Sequence, residues 1–139
     1  MAVLRRWILA AAIVVAAPLH AQAADAPDMV LGRRYTQWLY EGQLDSLYAR
    51  FSPDMRQALP TVQAFSEMAT QIKTQAGDET EVVSERILDP SPEPGMTVYI
   101  RSARFSKAPM IVDVTVVTDA AGTIHGFSVR PQRPPNPTE

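Results

Sequence analysis

His125 is the side chain in this sequence best suited to move a proton near neutral pH, and little else of that kind accompanies it. The other histidine, His20, lies in an N-terminal leader, and the chain contains no cysteine. A zinc site draws several ligands from histidine and cysteine, so no metal is expected. Neither Ser-x-x-Lys nor Gly-x-Ser-x-Gly occurs, which removes the common serine-nucleophile arrangements. The six glycines are scattered and form no phosphate loop, so no cofactor is expected either. Near His125 in the expected sheet stand Tyr99 and Arg101 on one strand, with Glu81 and Glu85 on another. A histidine base in an apolar cavity, with Tyr99 or Arg101 stabilising negative charge, would suit a small isomerase or hydrolase. The ordinary alternative is a hydrogen-bonded histidine at a hairpin end, with Arg101 a solvated strand charge. These residues define no catalytic set.

The elements that must position them follow from one change of period, at Gly77. Before it, apolar residues recur at helical spacing; after it they alternate in twos. Helices followed by strands predict an α+β fold with N-terminal helices packed on an antiparallel sheet. Asp28 is placed to cap a helix with Leu31, Tyr35, Trp38, Leu39 and Gly42 on one face, and Gly42 to stop it. Residues 43–51 offer a second short helix with Leu44, Leu47, Tyr48 and Phe51 inward. Ser52-Pro53 starts a third, which ends near Leu59-Pro60. Thr61 caps a longer one carrying Val62, Phe65, Met68 and Ile72, closed by Gly77. Trp38 and the tyrosines suit a ligand-stacking wall, but their helical spacing suits the core better.

Strands are expected over residues 80–88, 97–105, 111–118 and 123–130. Between the first two, three prolines in residues 89–95 rule out sheet pairing and make an extended connection. The last two strands form a hairpin around Asp119-Ala-Ala-Gly122. Setting Thr118 opposite Thr123 places Val116 against His125, Val114 against Phe127 and Val112 against Val129. One side of the hairpin is then almost wholly apolar, and the other carries Asp113, Thr115, Ser128 and Arg130; a one-residue slip would mix them. His125 and Phe127 thus point toward the core, and Asp113 points away into solvent or toward Arg130. His125, Tyr99, Arg101, Trp38 and Phe127 are the candidate ligand-pocket residues.

Residues 1–23 read as a cleavable signal peptide. Arg5 and Arg6 precede an apolar run over residues 7–17 that is too short for a stable span, and Ala21-Gln-Ala23 is a small-x-small cleavage site. Residues 24–131 then make one domain, long enough to bury roughly two-thirds of its unfolded surface. Residues 132–139 are a proline-rich tail of disordered or polyproline character. The protein is expected in the periplasm or secreted, with no membrane attachment after cleavage; without a cysteine it cannot carry a bacterial lipid anchor. Acidic residues outnumber basic ones, 15 to 13, and there are only two lysines, which argues against nucleic-acid binding.

Leu39-x-x-Gly42, Leu47-x-x-x-Phe51-Ser52-x-x-Met55-x-x-x-Leu59-Pro60 and Gly122-Thr-Ile-His-Gly-Phe-x-Val-x-Pro131 together resemble the nuclear transport factor two-like superfamily. This is the cone fold shared with ketosteroid isomerase and the SnoaL cyclases. More narrowly, the chain resembles small exported bacterial domains of unknown function within it. The resemblance runs over residues 28–131 and implies a curved antiparallel sheet, a cone-shaped α+β barrel. It also implies a homodimer, and relatives that stand ahead of a serine hydrolase, with the proline-rich tail in a linker's place. It supplies no catalytic set, since no isomerase-like aspartate is evident and a shared fold confers no reaction. Three readings result. The first is a non-catalytic exported domain binding a small apolar molecule or a partner protein. The others are an accessory module of a periplasmic serine hydrolase, and a small isomerase or hydrolase using one cavity histidine.

Overall fold

Four helices precede four strands in a computed structural model that describes residues 25–133. The expected signal peptide and the tail beyond residue 133 lie outside the described residues. The helices are α1 (Pro27–Tyr40), α2 (Leu44–Tyr48), α3 (Pro53–Ala58) and α4 (Val62–Ala76). The strands are β1 (Glu79–Ile87), β2 (Thr97–Phe105), β3 (Val112–Thr118) and β4 (Ile124–Pro131). They pair antiparallel in the order β1-β2-β3-β4. The fold is therefore α+β. Among the described residues the sheet is open, with β1 and β4 as its edges, and does not close into the expected barrel.

Local chemistry accounts for most boundaries. Ser52 Oγ accepts from the Met55 amide and Thr61 Oγ1 from the Ala64 amide, as N-caps do. Pro53 fills the first turn of α3 without wasting a donor. Gly77 closes α4 at φ 77°, a conformation that L side chains rarely adopt. The start of α1 departs from expectation. Ala26 is its N-cap and Pro27 opens it, so Asp28 sits one position inside, where its charge meets the positive end of the helix dipole.

The core forms between the helices and one face of the sheet. One cluster unites Tyr35, Leu47, Phe51 and Phe65 with Tyr99, Val116 and Ile124; a second joins Ala103, Phe105, Val112 and Val114. The Phe51 and Phe65 rings meet edge-on at 4.9 Å. The link between α2 and α3 is stitched to β4 by two backbone bonds, Ile124 N–H to Arg50 C=O at 2.7 Å and Ser52 N–H to Ile124 C=O at 2.9 Å. Tyr35, buried to 2% exposure, donates its hydroxyl to the Gly122 carbonyl at 2.5 Å and ties α1 to the hairpin turn.

Apart from His125, the hairpin keeps its expected faces but not its expected register. Val116 pairs with Phe127, Val114 with Val129 and Val112 with Pro131, two residues further along β4 than the alternation predicts. Thr118 pairs with Ile124 and Val117 with Gly126, so His125 is the extra residue of a bulge. The physical reason is Ile124. Placing it in the core with Phe127 requires one unpaired residue between them, and a strict alternation has no room for that.

Gly32 gives the packing a sign to test. A Cβ there would lie 2.3 Å from the Tyr99 ring. At an exposed helix position, alanine in place of glycine gains about 1 kcal/mol. Here Gly32→Ala is expected to lose about 1–3 kcal/mol through overpacking, read as a lower denaturation midpoint in urea. A raised midpoint would mean that the Tyr99 ring is free to withdraw.

Candidate functional site

Two bulges in β1 bring two of its carboxylates, Glu79 and Glu85, to the inner side of the sheet, while Glu81 stays exposed beside Arg104. The pairs Glu79–Phe105, Val82–Ala103, Glu85–Arg101 and Ile87–Tyr99 advance β2 by two residues at each step, but β1 by three, three and two. Glu79 and Glu85 consequently both reach Arg101. The guanidinium donates to Glu79 through Nε (2.9 Å) and Nη2 (2.5 Å), and to Glu85 through Nη1 (2.8 Å). Tyr40, the last residue of α1, donates its hydroxyl to Glu79 Oε2 at 2.8 Å. Tyr99 donates to Glu85 Oε1 at 2.6 Å, and Arg33 of α1 donates to the same carboxylate through Nε (3.0 and 2.8 Å). Arg33 also bridges to exposed Asp25. The side chains of Glu79, Glu85 and Arg101 are only 14–17% exposed.

This network holds the ionisation of Glu85, Tyr99, Tyr40 and Arg101. Burial works to raise the Glu85 carboxyl, but hydrogen bonds from Arg33, Tyr99 and Arg101 outweigh it and bring it from its usual 4.5 down to about 2. Burial, reinforced by Glu85, pushes the Tyr99 hydroxyl up to about 12. Burial and then Glu79 push Tyr40 up as well, and the hydrogen bonds to Glu79 raise Arg101 further above its usual range. At neutral pH, Glu85 has no proton to give and neither Tyr40 nor Tyr99 releases one. These groups hold; they do not exchange protons.

Beside the network lies a cavity of about 440 Å³ between the ends of α1 and α4 and the inner sheet face. Leu39, Leu44, Ala69 and Ile72 wall it on the helix side, and Phe105, Val114 and Val129 on the sheet side. Tyr40 and Glu79 supply its partly buried polar edge, with the Tyr40 ring edge-on to Phe105 at 6.0 Å. Exposed Glu41, Thr70, Lys73 and Asp78 form the rim. A half-open, mainly apolar cavity with one polar corner is suited to holding a small molecule.

The five expected pocket residues lie elsewhere. Tyr99 and Arg101 come together, but in the ion network, and Arg101 touches the cavity's edge only through Glu79. Trp38 packs on the first core cluster, 5.6 Å from the Tyr35 ring, and Phe127 packs between the two clusters. His125 does not stand opposite Val116. It sits in the bulge with Nε2 3.0 Å from Asp119 Oδ2, the hairpin-end arrangement. That hydrogen bond, backed by the Thr123 and Ala121 amides, holds the Asp119 carboxyl below its usual range. Asp113 does lie on the outer face, paired with Arg130 in the register, and its Oδ1 accepts from Ser102 Oγ at 2.6 Å and from Gln132 Nε2 at 2.8 Å.

Tyr40, Glu79 and Arg33 escaped the sequence reading. Glu79 falls one residue before the expected start of β1, and nothing in the spacing of Arg33 and Glu85 announces a contact across 52 residues. No protein-family model matches the chain, and neither a curated protein nor a solved structure matches it.

The network makes acid stability predictable. Since the Glu85 carboxyl binds its proton more weakly folded than unfolded, its contribution is complete above about pH 5 and drains away as the pH falls toward 2. Discounted for solvent screening, the loss is about 1–3 kcal/mol. Urea titrations at pH 7, 5 and 3 should show it. In Glu85→Gln, stability at pH 7 should drop and the decline below pH 5 should flatten; an undiminished decline would place the acid sensitivity in other groups.

Proposed function

We propose that this protein is an exported, non-catalytic binding domain whose cavity takes a small apolar molecule. One observation carries this reading: the cavity of about 440 Å³ has apolar walls, and the carboxylate at its inner edge, Glu79, is already matched by Arg101 and Tyr40. Chambers of roughly 300–1,000 Å³ with a few placed polar groups are typical of small-molecule sites. Catalysis is left with little to work with. His125 is held by Asp119, while Tyr99 and Arg101 are committed to the two glutamates. The leader with its small-x-small site supports export to the periplasm or beyond, and helices laid against an antiparallel sheet suit the cone superfamily that the chain resembles.

Native mass spectrometry of the protein, purified gently from the exported fraction, is the direct test. The expected spectrum carries extra mass that disappears on denaturation. Ala69→Trp, which fills the chamber from α4, should abolish that mass while the circular dichroism spectrum is preserved. His125→Ala should leave it in place. A clean mass, together with no uptake of naphthalene as an apolar probe, would end this reading.

A further inference from the structure

The polar corner of the cavity has a chemical polarity of its own, and it restricts what can be bound. Tyr40 commits its only hydroxyl proton to Glu79 Oε2, so toward the cavity its oxygen offers lone pairs. Glu79 accepts three hydrogen bonds, two from Arg101 and one from Tyr40, whereas a carboxylate has about four acceptor positions. One acceptor position on Glu79 and the lone pairs of Tyr40 are what remain. Backbone donors nearby are already used: Gly42 N–H bonds Leu39 C=O, Gly77 N–H bonds Lys73 C=O, and Asp78 N–H bonds Ser106 Oγ. The side chains in the lining that can donate, the Thr70 hydroxyl and the Lys73 ammonium, stand on the exposed rim, Lys73 3.5 Å from Asp78. The inner corner accepts and does not donate.

Charge narrows the choice further. An anion entering the chamber would pass Glu41 and Asp78 at the rim, with only Lys73 to offset them, and then meet the Glu79 carboxylate. A cation would lose its water against a carboxylate whose charge Arg101 already balances. Neither ion is well served. We propose that the ligand is a neutral apolar molecule bearing a hydroxyl, which donates to the Glu79–Tyr40 corner, and that carbonyl-ended and anionic analogues are discriminated against. This rests on the reading that the cavity binds an apolar molecule. The discrimination has a simple origin: a carbonyl at the corner would set lone pairs against lone pairs and leave both sides without partners. Burial and then Glu79 push the Tyr40 hydroxyl up from its usual pKa, in keeping with a proton that stays on Tyr40 and points at Glu79.

Four probes of one shape test this on the full chain: naphthalene, 2-naphthol, 2-acetylnaphthalene and 2-naphthoate, titrated by calorimetry. The expected ranking has 2-naphthol tighter than naphthalene by about fivefold, the effect of one net hydrogen bond. 2-Acetylnaphthalene should bind no tighter than naphthalene, and 2-naphthoate weakest. Glu79→Gln introduces an amide donor at the corner, so the 2-naphthol advantage should shrink and 2-acetylnaphthalene should gain. The wild-type ranking decides the matter even where that variant does not fold. 2-Naphthol no tighter than naphthalene, or 2-acetylnaphthalene tighter than 2-naphthol, would overturn the hydroxyl assignment while leaving cavity binding intact. Failure of all four to bind would overturn both.

Discussion

Arg101 bridges two carboxylates from the edge strand of the sheet, and the position of β1 depends on that arrangement. Most of β1 is exposed: Val82 and Val83 are 41% and 46% accessible, so apolar burial does little to fix the strand. What faces inward with partners is Glu79, Glu85 and Ile87. Removing the guanidinium would leave two largely buried carboxylates with fewer partners, a far greater penalty than the net value of either ion pair. Arg33 extends the same logic into α1, so that helix and edge strand are joined by charge where a typical domain would join them by hydrocarbon.

The cavity exists because the helices divide their attachments. α1 lies over β1, β2 and β3, while α4 packs chiefly on α2. The later turns of α4 therefore pass beside the inner sheet face without filling the space against it, and they present Ala69 and Ile72 to the chamber. Tyr40, at the last position of α1, reaches across to β1 and closes one side. Each wall of the chamber belongs to an element fixed elsewhere: α1 by Tyr35 on the hairpin turn, α4 by Phe65 in the core, and β1 by Arg101. A space bounded in this way need not collapse when empty, although filling it would gain dispersion energy.

The class of fold was legible because it depends on period and punctuation. Ser52, Thr61 and Gly77 mark helix ends by chemistry that is purely local, and β2 has the expected bounds. The site was not legible, for an equally physical reason. Bulges are insertions into a pairing, and a pairing partner is not visible in the strand that carries the bulge. Two such insertions in β1 decide which carboxylates reach Arg101, and one in β4 decides that Ile124 and not His125 enters the core. Alternation read strictly assigned His125 inward. Tyr99 and Arg101 were recognised as neighbours of acidic residues, but the partner that links them to the cavity, Glu79, lay just outside the expected strand. The sequence also contains no signal that Tyr40 would turn toward a strand 39 residues away.

Stability alone does not account for this network. Buried ion pairs are often matched or surpassed by apolar residues of similar volume, so leucines at positions 79, 85 and 101 could hold β1 to β2 at least as well. What apolar residues could not do is place an acceptor at the wall of an apolar chamber without an unbalanced charge there. An isolated glutamate would be driven to take up a proton by desolvation, and a lone tyrosine could rotate its hydroxyl to donate or accept. Fixed between Arg101 and Tyr40, Glu79 stays satisfied on all but one side, and Tyr40 has its proton assigned. Arg33 and Tyr99 then secure Glu85, which leaves the remaining bonds of Arg101 directed at Glu79. The network that attaches β1 to α1 thus also sets an acceptor at the cavity's edge.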